Sequence, residues 1–290
     1  MTQNVLVLGA NGRFGSHAAM AFENAGWTVK RFNRATGNLQ QAVQGMDVVV
    51  NAWNPPDYST WTQQMLPLHK RVIDAVKGSQ ATIVLPGNVY VFGANTSGPW
   101  SETTPHQVAN TLGALRIEME AMYRNSGLRT ILLRGGDFLD VKASGQWFDR
   151  IIVQKLRKGQ LTYPGDLNTR HSWAFLPDIA RAAVALAAMR DDLPTYADVP
   201  FPGYTVTARD MTSALARAIK RPVAIKRMSW LPLYLLSPVM RSLRGLLDMR
   251  YLWDTPHGLD ATRFDALLPE FEHTPLESAL AQATAHAVRA

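Results

Sequence analysis

The 290-residue chain contains no cysteine, which excludes a disulfide framework and any thiolate metal or redox chemistry. No apolar run approaches the roughly 18 residues of a membrane-spanning helix. The most apolar late stretch, Trp230 to Met240, is interrupted by Pro232 and Pro238, so membrane insertion is not expected. The N-terminus shows no basic stretch, apolar core and small-residue site of an export signal, and its apolar run, Val5 to Leu8, is only strand-sized. Together these absences set the expectation of a reducing cytoplasm. No cluster of histidines and carboxylates occurs at ligand spacing, so no metal is expected. Acidic residues are fewer than basic ones, 23 against 30. The bases are dispersed, apart from short groups such as Lys155, Arg157, Lys158 and Lys220, Arg221, Lys226, Arg227. Without a continuous basic face, a small anionic substrate or cofactor is the expected partner, and nucleic acid is not.

What is present is a globular composition, 47% hydrophobic and 18% charged, enough to bury a substantial core. Asn4 to Leu8 is a continuous apolar run ending in Gly9, and Arg13 to Ala25 then places Phe14, Ala18, Ala21 and Phe22 at helical spacing. Trp27 to Phe32 alternates as a second strand, and Asp47 to Ala52 is a buried third one. Helical and strand patterns keep alternating: Trp61 to Val76, Ala81 to Leu85, Gln107 to Ser126, Arg129 to Leu133. This rhythm predicts an α/β fold, a Rossmann-type doubly wound parallel sheet with ligands at the carboxyl ends of its strands. Further on the spacing predicts a helix over Trp147 to Leu156, a strand over His171 to Phe175 and a helix from Asp178, N-capped by that aspartate. Residues 1–165 are read as the dinucleotide-binding domain, with its sheet completed by later segments. Residues 166–290 are read mainly as a substrate-covering region.

The chemistry starts at Gly9, Gly12 and Gly15, spaced three apart between a strand and a helix. The first glycine permits the sharp turn, the second lets the backbone approach a pyrophosphate, and the third lets helix and strand pack closely. Helix N–H groups then meet the phosphate charge. Gly9, Asn11, Gly12, Arg13, Phe14 and Gly15 are therefore the expected cofactor-binding turn. At the end of the second strand an acid would hold a free ribose 2′-hydroxyl, but Lys30-Arg31-Phe32-Asn33-Arg34 contains none. Arg13, Arg31 and Arg34 offer a donor fork suited to a 2′-phosphate, so NADP is expected rather than NAD.

With the glycine turn in place, the chain resembles the short-chain dehydrogenase/reductase superfamily, in its extended and atypical branches (epimerase/dehydratase-like and NmrA-like). The resemblance runs through Gly45-Met-Asp-Val-Val-Val-Asn51-Ala, Gly87-Asn-Val-Tyr90-Val-Phe-Gly93, Arg134-Gly-Gly-Asp-Phe138 and Phe175-Leu-Pro-Asp178-Ile-Ala180-Arg181. It implies that Ala52 and Trp53 line the adenosine or phosphate side and that Pro86, Gly87 and the residues up to Tyr90 lie beside the nicotinamide. It also implies a catalytic Tyr and a Lys four residues later, where this chain has Leu112 and Arg116, and a Ser where it has Asn88. Asn88 and Tyr90, two apart on a strand and so on one face, and Arg116 are then the candidate catalytic residues. An ion pair from Arg116 to Glu120 is the structural alternative for that arginine. The expected function is an NADP-dependent oxidoreductase or epimerase-like enzyme acting on a carbonyl or hydroxyl of a small molecule. The alternative is a non-catalytic NADP(H)-binding redox sensor, suggested by the missing Tyr/Lys pair. Trp230 to Trp253, where leucines mix with Arg241, Arg244 and Arg250, reads as core packing or as an amphipathic surface.

Overall fold

A computed structural model describes residues 3–96, 98–108, 110–240 and 242–289. Arg241 and Ala109 of the sequence patterns above lie outside the described residues. Strand β1 (Asn4–Leu8) runs through the glycine turn into α1 (Arg13–Asn24), then come β2 (Thr28–Phe32), the short α2 (Leu39–Val43) and β3 (Val48–Asn51). A 3-10 turn at Tyr58–Thr60 leads into α3 (Trp61–Val76), β4 (Thr82–Gly87), α4 (Thr111–Asn125) and β5 (Thr130–Arg134). The chain continues through β6 (Asp137–Leu139), β7 (Gln160–Tyr163), β8 (His171–Phe175), α5 (Leu176–Ala188) and β9 (Tyr196–Pro200). Last come β10 (Tyr204–Val206), α6 (Ala208–Ala218), β11 (Ala224–Arg227), α7 (Leu231–Leu236), α8 (Ser242–Asp248), α9 (Thr262–Leu267) and α10 (Leu276–Arg289).

The main sheet has the order β2-β1-β3-β4-β5-β9, every neighbour parallel. The chain steps from β1 outward to β2 and then back across β1 to β3. The topological switch, and with it the ligand crevice, lies between the carboxyl ends of β1 and β3. Alternation assigns the two faces. Val5, Val7, Val48, Val50, Ile131 and Leu133 pack under α1 and α5, whereas Leu6, Leu8, Val49, Ile83 and Leu132 pack under α3 and α4. Both faces are covered, which is why these strands read as unbroken apolar runs. A third core, around Trp173, Tyr163 and Trp253, joins β7 and β8 to α6 and α10.

Two local expectations change. The stretch Trp147–Leu156 forms only a π-helical turn, Phe148–Ile152, and a 3-10 turn at Leu156–Lys158. Asp149 there accepts from the N–H groups of Gly145 and Gln146, which folds the preceding loop back onto the turn. Asp178 is not an N-cap: α5 starts at Leu176 with Phe175 as its cap. The Asp178 carboxylate instead accepts from Thr274 N–H and hydroxyl and from Arg181, tying the segment before α10 to α5. β9 and α5, both from the 166–290 stretch, belong to the main layers, while β6, β8 and β10 form a separate three-stranded sheet and β7 pairs with β11.

Candidate active site

At the carboxyl end of β1, Gly9 has a left-handed φ of 79°. A Cβ on Gly9 would stand 3.0 Å from the Ala52 carbonyl, and one on Gly15 would stand 2.2 Å from the Gly9 carbonyl. Only glycine lets β1, β3 and α1 converge this tightly. The Gly12 N–H donates to the Gly9 carbonyl at 2.8 Å and the first intrahelical bond runs from Ser16 to Gly12. The N–H groups of Arg13, Phe14 and Gly15 precede that bond and form the free helix start at which an anion is held. This backbone cradle fits a dinucleotide pyrophosphate. Asn11 and Arg13 are exposed and Phe14 is buried in the α1 core. The Arg13 guanidinium reaches across the crevice to the carbonyls of Ser144 and Gly145, at 2.9 and 3.0 Å, strapping the 144–145 loop beside the turn.

The ends of β2 and β3 meet beside the glycine turn, where the adenosine side is expected. Trp53 packs edge-on against Phe32 at 5.6 Å, and the Arg34 guanidinium lies 6.0 Å from the Trp53 ring. Arg31 points elsewhere: it donates twice to the Glu23 carboxylate of α1, at 2.5 and 2.9 Å. Of the three arginines, then, Arg34 stands beside Trp53, while Arg13 and Arg31 are engaged by protein groups. Behind Ala52 and Trp53, the buried Asn51 side chain donates to Tyr123 Oη at 2.8 Å and accepts from the Trp53 N–H. His69 Nδ1 is 2.8 Å from the same phenol. Burial pushes His69 down to about 3, so this buttress is neutral.

Where the nicotinamide is expected, β4 carries Pro86 and Gly87 and delivers Asn88 and Tyr90 just beyond its end. The Asn88 Oδ1 accepts from the Tyr90 N–H at 3.1 Å. The Tyr90 hydroxyl meets the Tyr58 hydroxyl at 2.7 Å. Burial pushes both phenols up, and the nearby Asp137 charge adds to this, while the Arg116 charge works the other way. Arg116 is itself buried. It donates to Asn54 Oδ1 at 2.6 Å and lies 4.6 Å from the Trp61 ring; burial pulls its pKa down. Leu112, one turn earlier on α4, is buried at 3% exposure beneath α8.

The expected Arg116–Glu120 pair does not form, because Glu120 is taken by Arg134. That guanidinium, with no exposed surface, spends its donors on both Glu120 oxygens, both Asp198 oxygens and the Asn88 carbonyl. The network clamps the end of β4 to β5 and β9, and so fixes the backbone that carries Asn88 and Tyr90. His106, Glu120 and Asp198 also lie close enough to resemble a metal site, but the Arg134 charge occupies the space between the carboxylates. Facing the phenol pair from the three-stranded sheet, the Asp137 carboxylate accepts from His171 Nε2 at 2.8 Å, and His171 stacks on Trp253 at 4.4 Å. A cavity of about 410 Å³ lies along α1 and α5, lined among others by His17, Met20, Asn24, Pro177 and Arg181.

Sequence reasoning brought Asn88, Tyr90 and Arg116 forward, and the structure places them within one cluster. It overlooked Tyr58, Asn54 and Trp61. Asn54 and Tyr58 lie in the stretch Asn54-Pro55-Pro56-Asp57-Tyr58, which has no periodicity, and Trp61 opens α3 just after it. The available signal was position: a loop leaving the carboxyl end of a strand next to the switch point lines the crevice.

No family model matches the chain, and no curated protein matches it. Solved structures do match over nearly all of it. UDP-N-acetylglucosamine 4-epimerase from Bacillus cereus is 15% identical with a TM-score of 0.77, covering 100% of both chains. UDP-glucose 4-epimerase from Brucella ovis, in complex with NAD, is 15% identical with a TM-score of 0.74, covering 99% of both. UDP-glucuronic acid 4-epimerase from Bacillus cereus, also with NAD, is 15% identical with a TM-score of 0.73, covering 98% of both. At such identities the likeness is one of fold. The chain shares the Rossmann-type fold of these epimerases, with its parallel sheet in the order β2-β1-β3-β4-β5-β9.

Proposed function

We propose that the protein is a nicotinamide-dinucleotide-dependent oxidoreductase or epimerase-like enzyme acting on a carbonyl or hydroxyl of a small molecule. The observation that carries this reading is the Tyr58–Tyr90 hydroxyl contact of 2.7 Å, set at the carboxyl end of β4 across from a glycine cradle that fits a pyrophosphate. Bound in that crevice, the cofactor supplies hydride transfer at the nicotinamide ring. The protein's part is position and proton movement. The N–H groups of Arg13, Phe14 and Gly15 hold the pyrophosphate, and Ala52 and Trp53 flank the adenosine side. Asn88 and the phenol pair meet the substrate oxygen. As hydride arrives at a carbonyl carbon, a phenol of the pair gives its proton to the carbonyl oxygen, and Arg116 stabilises the phenolate left behind. The fold neighbours named above, two of them with NAD bound, support a nucleotide-linked small molecule as substrate.

For the cofactor, the finer reading is NADP. It is supported by the lack of a carboxylate at the end of β2 and by Arg34 beside Trp53; the NAD in the neighbours' complexes weighs toward NAD. Titration of NADPH and NADH against protein fluorescence, for the wild type and Arg34→Ala, separates the two. Tighter NADPH binding that Arg34→Ala abolishes supports NADP, and equal affinities in the wild type refute it. A redox-sensing role is supported by the resemblance, which puts Leu112, a residue that transfers no proton, where the family has its tyrosine. Turnover of a broad carbonyl and alcohol panel supports the enzyme. Cofactor binding without any turnover, with unequal affinities for oxidised and reduced forms, supports the sensor.

A further inference from the structure

α7 and the residues after it present apolar side chains that nothing among the described residues covers. Leu231 is 64% exposed, Leu235 71%, Leu236 51% and Val239 85%, and Tyr234 and Met240 are nearly half exposed. These are six of the eight large apolar residues that stand exposed among the described residues. No residue of α7 is buried.

The charge distribution says what this face meets. Between positions 220 and 250, seven basic residues stand against one acid, Asp248, so this stretch alone supplies six of the chain's formal net charge of +7. Cations flank the apolar band directly. Arg250 lies 5.5 Å from the Trp230 ring and donates to Tyr234 Oη at 2.9 Å. Arg244 is exposed and reaches the Ser237 carbonyl at 3.4 Å. Lys226 and Arg227 stand exposed at the end of β11. Asp254, the nearest further carboxylate, is covered by Arg227 and Arg250 at 3.0 and 3.9 Å. An exposed apolar band with a basic rim and hardly an acid matches the headgroup layer of an anionic bilayer. A second copy fits worse, because a two-fold contact through this face sets the arginine rims against each other.

We propose that α7 and its flanks dock the protein on an anionic membrane surface. Leu231, Leu235, Leu236 and Val239 enter the acyl boundary, and Lys226 and Arg244 meet lipid phosphates. The contact is peripheral: among the described residues no helix is long and apolar enough to cross a membrane. The docked face also roofs the candidate active site: α8 lies so close to the Tyr58 turn that a Cβ on Gly245 would stand 2.7 Å from Tyr58 Cβ.

The test is co-sedimentation of the whole protein with vesicles of phosphatidylcholine alone and of phosphatidylcholine with phosphatidylglycerol, at low and high salt. The expected result is binding to the anionic vesicles roughly ten-fold or more tighter than to neutral ones, weakened by salt. Leu235→Asp with Val239→Asp, and separately Arg244→Glu, each lower that binding by about ten-fold or more. Thermal unfolding stays unchanged in these variants, because the substituted side chains stand in solvent. Failure to sediment with anionic vesicles overturns the proposal, as does equal binding to both vesicle types. So does a wild-type dimer in solution that Leu235→Asp with Val239→Asp turns into a monomer.

Discussion

Acidification from pH 7 to pH 5 removes about 4 kcal/mol from the stability of this fold through two histidines alone. His69, under the crevice, and His257, against Trp100, are 1% and 2% exposed, and burial pushes each down to about 3. The Arg116 charge reinforces the effect at His69, and His171 does so at His257. In the unfolded chain each titrates near the ordinary histidine value of about 6.5. Between the two values the unfolded chain binds a proton that the native one refuses, so stability falls as the pH drops from about 6.5 toward 3. Integrating that difference from pH 7 to 5 gives about 2 kcal/mol per histidine. Carboxylates add little in this window, because their unfolded values near 4 lie below it. The assay is urea unfolding followed by tryptophan fluorescence at pH 7, 6 and 5, where the midpoint should fall with the slope unchanged. His69→Gln retains a polar group facing Asn51 and Tyr123 but cannot titrate, and should remove about half of the loss. A wild-type protein equally stable at pH 5 and pH 7 would refute the argument that both rings are buried neutral.

Other substitutions probe the site. Arg134→Met leaves Glu120 and Asp198 buried without their shared cation and should cost about 3–5 kcal/mol, read as a lowered unfolding midpoint at neutral pH. Gly15→Ala forces a Cβ to within 2.2 Å of the Gly9 carbonyl; dinucleotide affinity should drop roughly ten-fold or more while the circular dichroism spectrum is kept. Tyr58→Phe and Tyr90→Phe each remove one partner of the hydroxyl pair. Either should lower kcat on the order of 100-fold with KM little changed, and a variant with full kcat would exclude that phenol from proton transfer.

The glycine turn and the doubly covered strands were legible because each is a local demand: tight convergence at Gly15, and apolar residues on both faces of β3. The cluster was only half legible. Asn88 and Tyr90 sit two apart on one segment, whereas Tyr58 joins them from a proline-rich loop 32 residues away, a distance that periodicity does not span. Arg31 shows the opposite failure. It looked available for a phosphate, yet Glu23, on the helix packed beside β2, claims it. The same holds for Glu120, which helical spacing offered to Arg116 and which Arg134 takes from the neighbouring strand. The Trp230–Trp253 stripe read either as core packing or as an amphipathic surface, and its first part, α7, stands exposed. Its leucines suit a core, but Pro232 and Pro238 confine α7 to six residues, too short to lay a face along the sheet.

The position of β2 at the margin of the main sheet has a colloidal consequence. Among the described residues nothing pairs with its outer side, so Thr28–Phe32 holds out a row of backbone donors and acceptors that any extended peptide could extend. Lys30 and Arg31 stand in solvent on that strand. Two molecules meeting margin to margin would have to bring their Lys30 ammonium groups together and strip water from them, a repulsion that guards the edge against strand addition. The exposed Lys30 ammonium thus works against edge-to-edge association of the protein at high concentration.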